Sequence, residues 1–158
     1  ALTDDIKDVA RTNAKRNFSA ALDKAQPVDL SNVIDHIERE LDVDSTGPLA
    51  KELIRFLKRI KHGNTLNKDA KVLHEVQSEI REAAESYMGS VSGADQLLGK
   101  RLSNIRQQLV EAIDDAAPVK GSYRKAQQAY RDDNAIDDAF VKGLDISRRA
   151  SGSRPIRR

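Results

Sequence analysis

The chain has no cysteine and no tryptophan, only three phenylalanines and three tyrosines, and four prolines. Without cysteine there is no disulfide framework and no thiolate metal site, a composition that fits a reducing compartment. With 4% aromatics, a core has to come from Leu, Ile, Val and Ala. No apolar run approaches the roughly 20 residues that span a bilayer, and no segment reads as a signal peptide. There is no glycine-rich phosphate loop and no serine or threonine in a nucleophile-elbow setting. Ala1 stands where an initiator Met would, as in a processed chain or a piece of a longer one.

What is present is charge. Of the 158 residues 33% are charged, 27 basic against 25 acidic, for a net charge of +2. The balance is uneven: the last eleven residues hold five arginines, Arg148, Arg149, Arg154, Arg157 and Arg158, and no acid. That leaves 22 basic against 25 acidic residues in the body, a net of −3. With Ser151, Gly152, Ser153 and Pro155 interspersed, residues 147–158 read as a disordered basic tail, whose plain role is a solvated linker.

The apolar spacing predicts an all-α, multi-helix bundle occupying one domain, residues 1–146. Its N-terminal part, 1–62, carries three helices. The first runs from Asp4 to about Lys24, capped by Thr3, with Ile6, Val9, Ala14, Phe18, Ala21, Leu22 and Ala25 on its apolar face. Pro27 ends it. The second spans Leu30 to Leu41 through Val33, Ile34 and Ile37. After Gly47-Pro48, the third is marked by Leu49, Leu53, Phe56, Leu57 and Ile60, and His62-Gly63-Asn64 closes it. No strand pattern is apparent.

Residues 66–116 have the clearest periodicity. Leu73, Val76, Ile80, Ala83 and Tyr87 recur in steps of three and four, as do Leu98, Leu102, Ile105, Leu109, Ala112 and Ala116. Gly89 and Gly93 bracket a short turn, and Ser92 followed by Asp95 resembles a capping signal. Two such arms, about 66–88 and 94–116, predict an antiparallel αα-hairpin with arms of about 30 Å. Beyond Pro118 and Gly121, residues 121–146 hold two short helices. Tyr123, Ala126 and Tyr130 share one face of the first, and Ile136, Ala139, Phe140 and Leu144 one face of the second.

Among candidate sites, Asp42-Val-Asp44-Ser-Thr46-Gly47 has the start of a calcium loop but Pro48 at position seven and Leu53 at position twelve, where a bidentate Glu is required. The reading kept is a turn in which Asp44, Ser45 or Thr46 caps the next helix. His36, His62 and His74 lack the i,i+3 or i,i+4 histidine partners of a helical metal site, and no metal or cofactor is expected. Asp4-Asp5-Asp8, Asp114-Asp115, Asp132-Asp133 and Asp137-Asp138 read as solvated helix ends and faces. The best-formed charged feature is a basic stripe, Lys51, Arg55, Lys58 and His62, flanked by Arg59 and Lys61 and opposed within its helix only by Glu52. Such a face can track a phosphate backbone or meet an acidic partner, although no aromatic is interleaved for base stacking. Arg148-Arg149-Ala150-Ser151 and Asn17-Phe18-Ser19 match a kinase site and a glycosylation sequon by letter only.

The hairpin reading Leu73-x-x-Val76-x-x-x-Ile80 and Leu98-x-x-x-Leu102-x-x-Ile105-x-x-x-Leu109, then Pro118, then Tyr123-Arg-x-Ala126-x-x-x-Tyr130 and Ala139-x-x-x-Gly143, resembles a helical module in large virion proteins of tailed bacteriophages and prophages, especially internal or ejection-type proteins. The chain departs from that pattern where Val119-Lys120-Gly121-Ser122 separate Pro118 from Tyr123, in place of one or two residues. The catalytic domains that sometimes accompany such modules have no counterpart. The resemblance implies a non-enzymatic structural or interaction module, in the virion or the bacterial host cytoplasm, whose partners are copies of itself or other virion subunits. Leu73, Val76, Ile80, Leu102, Ile105, Leu109, Tyr123, Tyr130 and Phe140 are then packing groups. Two rivals stand beside it: a nucleic-acid-binding module using the basic stripe and arginine tail, and a small helical enzyme or secreted effector, which requires a deep polar pocket with converging carboxylates.

Overall fold

The computed structural model describes residues 2–131, and of the first fourteen residues only the side chains of Asp8, Val9 and Thr12. Ile136, Ala139, Phe140, Gly143 and Leu144 of the expected last helix, the acidic pairs Asp132-Asp133 and Asp137-Asp138, and tail residues Arg148, Arg149, Arg154, Arg157 and Arg158 lie outside the described residues, as do the side chains of Thr3, Asp4, Asp5, Ile6 and Ala14.

The chain is all-α. Helices α1 (Leu2–Leu22), α2 (Ser31–Val43), α3 (Pro48–Ile60), α4 (Ala70–Met88) and α5 (Gly93–Ala116) follow one another. A sixth, α6, begins at residue 122 and is described through 131. Among the described residues no helix is long and apolar enough to cross a membrane.

Local chemistry explains most of the boundaries. The α1 helix already includes Leu2, so Thr3 stands within its first turn instead of capping it. Before α2, the Asp29 carboxylate accepts hydrogen bonds from the Ser31 N–H at 3.0 Å and from its hydroxyl. Pro48 opens α3, where a missing N–H costs nothing. The Asp69 side chain caps α4 by accepting from Lys71 N, and Ser92 caps α5 by accepting from Asp95 N, as its spacing predicts.

The link after α3 departs from expectation. It forms a two-stranded antiparallel ribbon, β1 (Lys61–His62) and β2 (Thr65–Leu66), turned by Gly63-Asn64. Gly63 has φ +63°, the left-handed geometry that a hairpin turn with glycine at its first central position demands. Two-residue strands are too short to leave an alternating pattern in sequence.

At the centre α4 and α5 form the expected antiparallel hairpin. Leu73, Val76, Ile80, Leu102, Ile105 and Leu109 are all buried along its seam. The seam is not a strict heptad, however. Ala83 and Ala112 lie at its margin, while Ala84 and Ile113 are buried in their place. An α-helix turns every 3.6 residues, so over three heptads the buried stripe drifts by about one position. Near the hairpin tip the two backbones come together at Gly99, where a Cβ would sit 2.5 Å from Met88 Cγ and 2.7 Å from the Ala84 carbonyl oxygen.

The other helices clasp this pair. His36 meets Gln108 at 2.9 Å and Glu40 approaches Arg101 at 3.9 Å, so α2 runs antiparallel to α5. Arg59 pairs with Glu79, and Tyr87 with Glu52, so α3 runs antiparallel to α4. Val33, Ile37, Leu53, Phe56 and Ile60 enter the core from these two helices. The loop after α1 is tied by Gln26 N–H to the Ala116 carbonyl and Val28 N–H to the Lys68 carbonyl. From α1 itself Ala21 and Leu22 are buried, but Val9, expected on the apolar face, is 60% exposed.

Substituting Gly99→Ala should lower stability by about 1–3 kcal/mol in a urea melt, because Met88 and the Ala84 carbonyl would have to shift. An unchanged denaturation midpoint would show that the helices can part there without loss.

Candidate functional site

The basic stripe of α3 is reorganised by its neighbours. Lys51, Arg55, Lys58, Arg59 and Lys61 are all exposed, but the two arginines are engaged. Arg55 bonds to Glu52 at 2.7 Å and lies over the Phe56 ring at 5.1 Å. Arg59 grips both oxygens of Glu79 on α4, at 3.0 and 3.1 Å, and this ion pair raises its pKa further. Lys51, Lys58 and Lys61 make no ion pair among the described residues, and His62 is exposed on β1. The face retains three free ammonium groups.

In the loop before α3 the Asp44 carboxylate accepts from the N–H groups of Thr46 and Gly47 at 3.1 and 3.0 Å, and these bonds hold its pKa below the usual carboxylate range. This is a turn, as expected. The helix itself has Gly47 at its N-cap without a side-chain bond. Among the described residues no group of three or more histidines and carboxylates is placed to hold a metal ion.

An acidic groove of about 340 Å³ runs between the loop after α1, α2 and the end of α5, with Asp29, Asp35, Glu111 and Asp115 on its walls beside Arg39. Three of these four carboxylates are engaged, Asp29 by Ser31, Glu111 by Arg124 at 2.5 Å, and Asp115 by Lys120 at 4.0 Å. The Ser31 bonds push the Asp29 pKa down, which suits a turn and not a general acid.

The densest polar cluster in the interior was not legible as such. Gln77 from α4, Arg106 from α5 and Gln127 from α6 are all buried. Arg106 Nε donates to the Gln77 carbonyl oxygen at 2.9 Å, and its Nη2 donates to that of Gln127 at 2.9 Å. The Gln127 amide donates to the Tyr123 hydroxyl at 3.0 Å, and the Tyr123 hydroxyl reaches His74 Nδ1 at 2.6 Å. The Gln77 amide nitrogen, a donor, also faces His74 Nδ1 at 3.4 Å, so an unprotonated, accepting Nδ1 satisfies both of its neighbours. Burial, reinforced by the nearby Arg81 cation, lowers the His74 pKa. Burial pushes that of Tyr123 well up.

Tyr123 is wholly buried, the packing role expected of it. It joins Phe18 of α1, His74 and Tyr130 in a ring cluster with centroids 4.4 to 6.1 Å apart. Tyr130 is half-buried and carries Arg81 over its face at 5.6 Å. The start of α6 is held by a carboxylate of α5. Asp114, read with Asp115 as solvated surface, is 4% exposed. Its carboxylate accepts from the N–H groups of Gly121, Tyr123 and Arg124 at 3.0 to 3.2 Å, so the last turn of α5 caps the first turn of α6. Asp115 does lie on the exposed side.

Three comparisons, with protein-family profiles, with curated proteins and with solved structures, returned no match for this chain.

His74 supplies a pH dependence whose sign is fixed. A histidine with a lowered folded pKa is protonated more readily in the unfolded chain, so folding stability is complete above the unfolded value of about 6.5 and falls as pH drops from there toward the folded pKa. Urea melts between pH 7.5 and 5 should show this decline, and His74→Gln should flatten it. A parallel decline in both proteins would assign the effect elsewhere.

Proposed function

We propose that the chain is a non-enzymatic, phage- or prophage-derived module that mediates assembly of a virion or ejection protein. The observation that carries this reading is the distribution of exposed apolar side chains. Val91 in the hairpin turn is fully exposed, and Met88 and Leu97 on either side of it are about half exposed. Because α2 runs antiparallel to α5, its exposed terminal residue Val43 belongs to the same end of the bundle. Four of the seven large apolar side chains exposed among the described residues thus lie at this end, the others being Val9 on α1, Ile54 on α3 and Val119 after α5; a cluster of this kind is what a docking tip requires. The braced interior supports the same reading, since a pre-ordered surface loses little entropy on binding. The resemblance of the hairpin and tyrosine segment to virion modules supplies the class of partner, a neighbouring virion subunit.

The test is retention in particles. Tagged protein expressed during phage production should co-purify with virions, and the Val91→Asp/Leu97→Asp variant should be lost from them at least tenfold while keeping its helical circular dichroism. Absence of the unmodified protein from particles would overturn the proposal.

A second reading, nucleic-acid binding, rests on the unpaired lysines Lys51 and Lys58 of α3 and Lys61 of β1. Duplex-DNA affinity that falls steeply with salt, and is removed by Lys51→Glu and Lys58→Glu, would favour it over the first. With both arginines of the stripe already paired, weak binding indifferent to these changes is expected.

A further inference from the structure

A second groove, of about 430 Å³, lies between α5 and α6 and has the opposite charge. Arg106, Arg124, Lys125 and Arg131 line it together with Gln107, Gln127 and Gln128, and Glu111 is its one carboxylate. That carboxylate is taken up by Arg124. Arg106 forms the floor. It is 6% exposed, yet no ion pair among the described residues neutralises it. Its Nε and Nη2 are bound to amide oxygens, and Nη1 makes no hydrogen bond among the described residues. Burial, and then the cations of Arg81 and Arg131, disfavour its charged form, while Glu85, which favours it, faces Arg81 at 4.0 Å.

An arginine does not shed its proton in such a place, so the cost of burying the charge persists until an anion arrives. We infer that this groove is a binding site for a compact oxyanion of the phosphoryl type, gripped from the floor by Arg106 and from the rim by Arg124, Lys125 and Arg131. Guanidinium groups match the oxygens of a phosphoryl group in spacing and charge, and the Gln107 amide stands beside them. Among the described residues these cations gather at one concavity. His74, Gln77 and Arg81 of α4 belong to this network, whereas Glu79 and Tyr87 meet α3, so the free lysines of α3 occupy a different face. A single phosphoryl group, free or at the end of a larger molecule, fits that arrangement better than a phosphodiester backbone does. The site goes beyond the assembly role and stands or falls independently of it.

Calorimetric titration of the full chain with inorganic pyrophosphate, at constant ionic strength set by chloride, tests it. Saturable binding at one site is expected. Replacing the rim by Arg124→Gln, Lys125→Gln and Arg131→Gln should weaken binding at least tenfold while leaving the melting temperature in chloride unchanged. A matched removal of charge from α3 and β1, by Lys51→Gln, Lys58→Gln and Lys61→Gln, should leave binding intact. The rim variant keeps the test decisive even where Arg106→Gln fails to fold. Absence of saturable binding, or equal losses in the two variants, would overturn the site. So would a hexaglutamate peptide that binds more tightly than pyrophosphate, which would make the groove a seat for an acidic protein segment.

Discussion

Arg106 is a charged group held almost out of solvent between three helices, and the geometry around it follows from the need to satisfy it. Its planar fork can be met only by acceptors at fixed angles, so Gln77 on α4 and Gln127 on α6 must arrive in register with α5. Gln127 then has a donor to spare, which fixes the Tyr123 hydroxyl, which in turn fixes the His74 tautomer. An apolar interior of Leu, Ile and Val tolerates small sliding of one helix past another. A network of this kind does not, because each misplacement leaves a buried polar group without a partner.

The same constraint accounts for the seam and the cap. At the tip α4 and α5 approach to backbone contact at Gly99. One heptad on, the equivalent position is Arg106, and one further is the buried Ile113. The pair is thus tight at the tip and opens toward the base, where α6 enters and Tyr123 fills the space. Asp114 completes the arrangement by holding the N-terminus of α6 from the last turn of α5. Its buried charge is offset by three N–H groups and the helix dipole. Val43, Met88, Val91 and Leu97 stand exposed at the free end of this braced unit, and cations line the groove along its side.

The fold class, the hairpin and the packing role of Tyr123 were legible in the sequence because they rest on near-periodic apolar spacing. The third buried row of α5 was not. Gly99, Arg106 and Ile113 are seven residues apart and share a face, but two of the three are not apolar, so the row reads as polar surface. Its width reflects the central position of α5, which meets α2, α4 and α6 at once. Gln77 and Gln127 were hidden because their partner is 29 and 21 residues away, and no local pattern announces such a bond. Asp114 was read as surface because it neighbours Asp115, although a helix turns adjacent residues about 100° apart. In α3 the stripe was legible, but the pairing of Arg59 with Glu79 depends on how two helices pack. The β1–β2 ribbon is set by a single glycine and is too short to show periodicity.

The central claim is that α4, α5 and α6 form one cooperative unit through the Arg106 network. Native-state amide hydrogen exchange measures this directly. The account predicts that amides of α6 around Tyr123 to Gln127 exchange with the same opening free energy as those around Gln77 and Arg106, reporting global unfolding. Exchange of α6 through a separate, much cheaper opening, with α4 and α5 still protected, would contradict it.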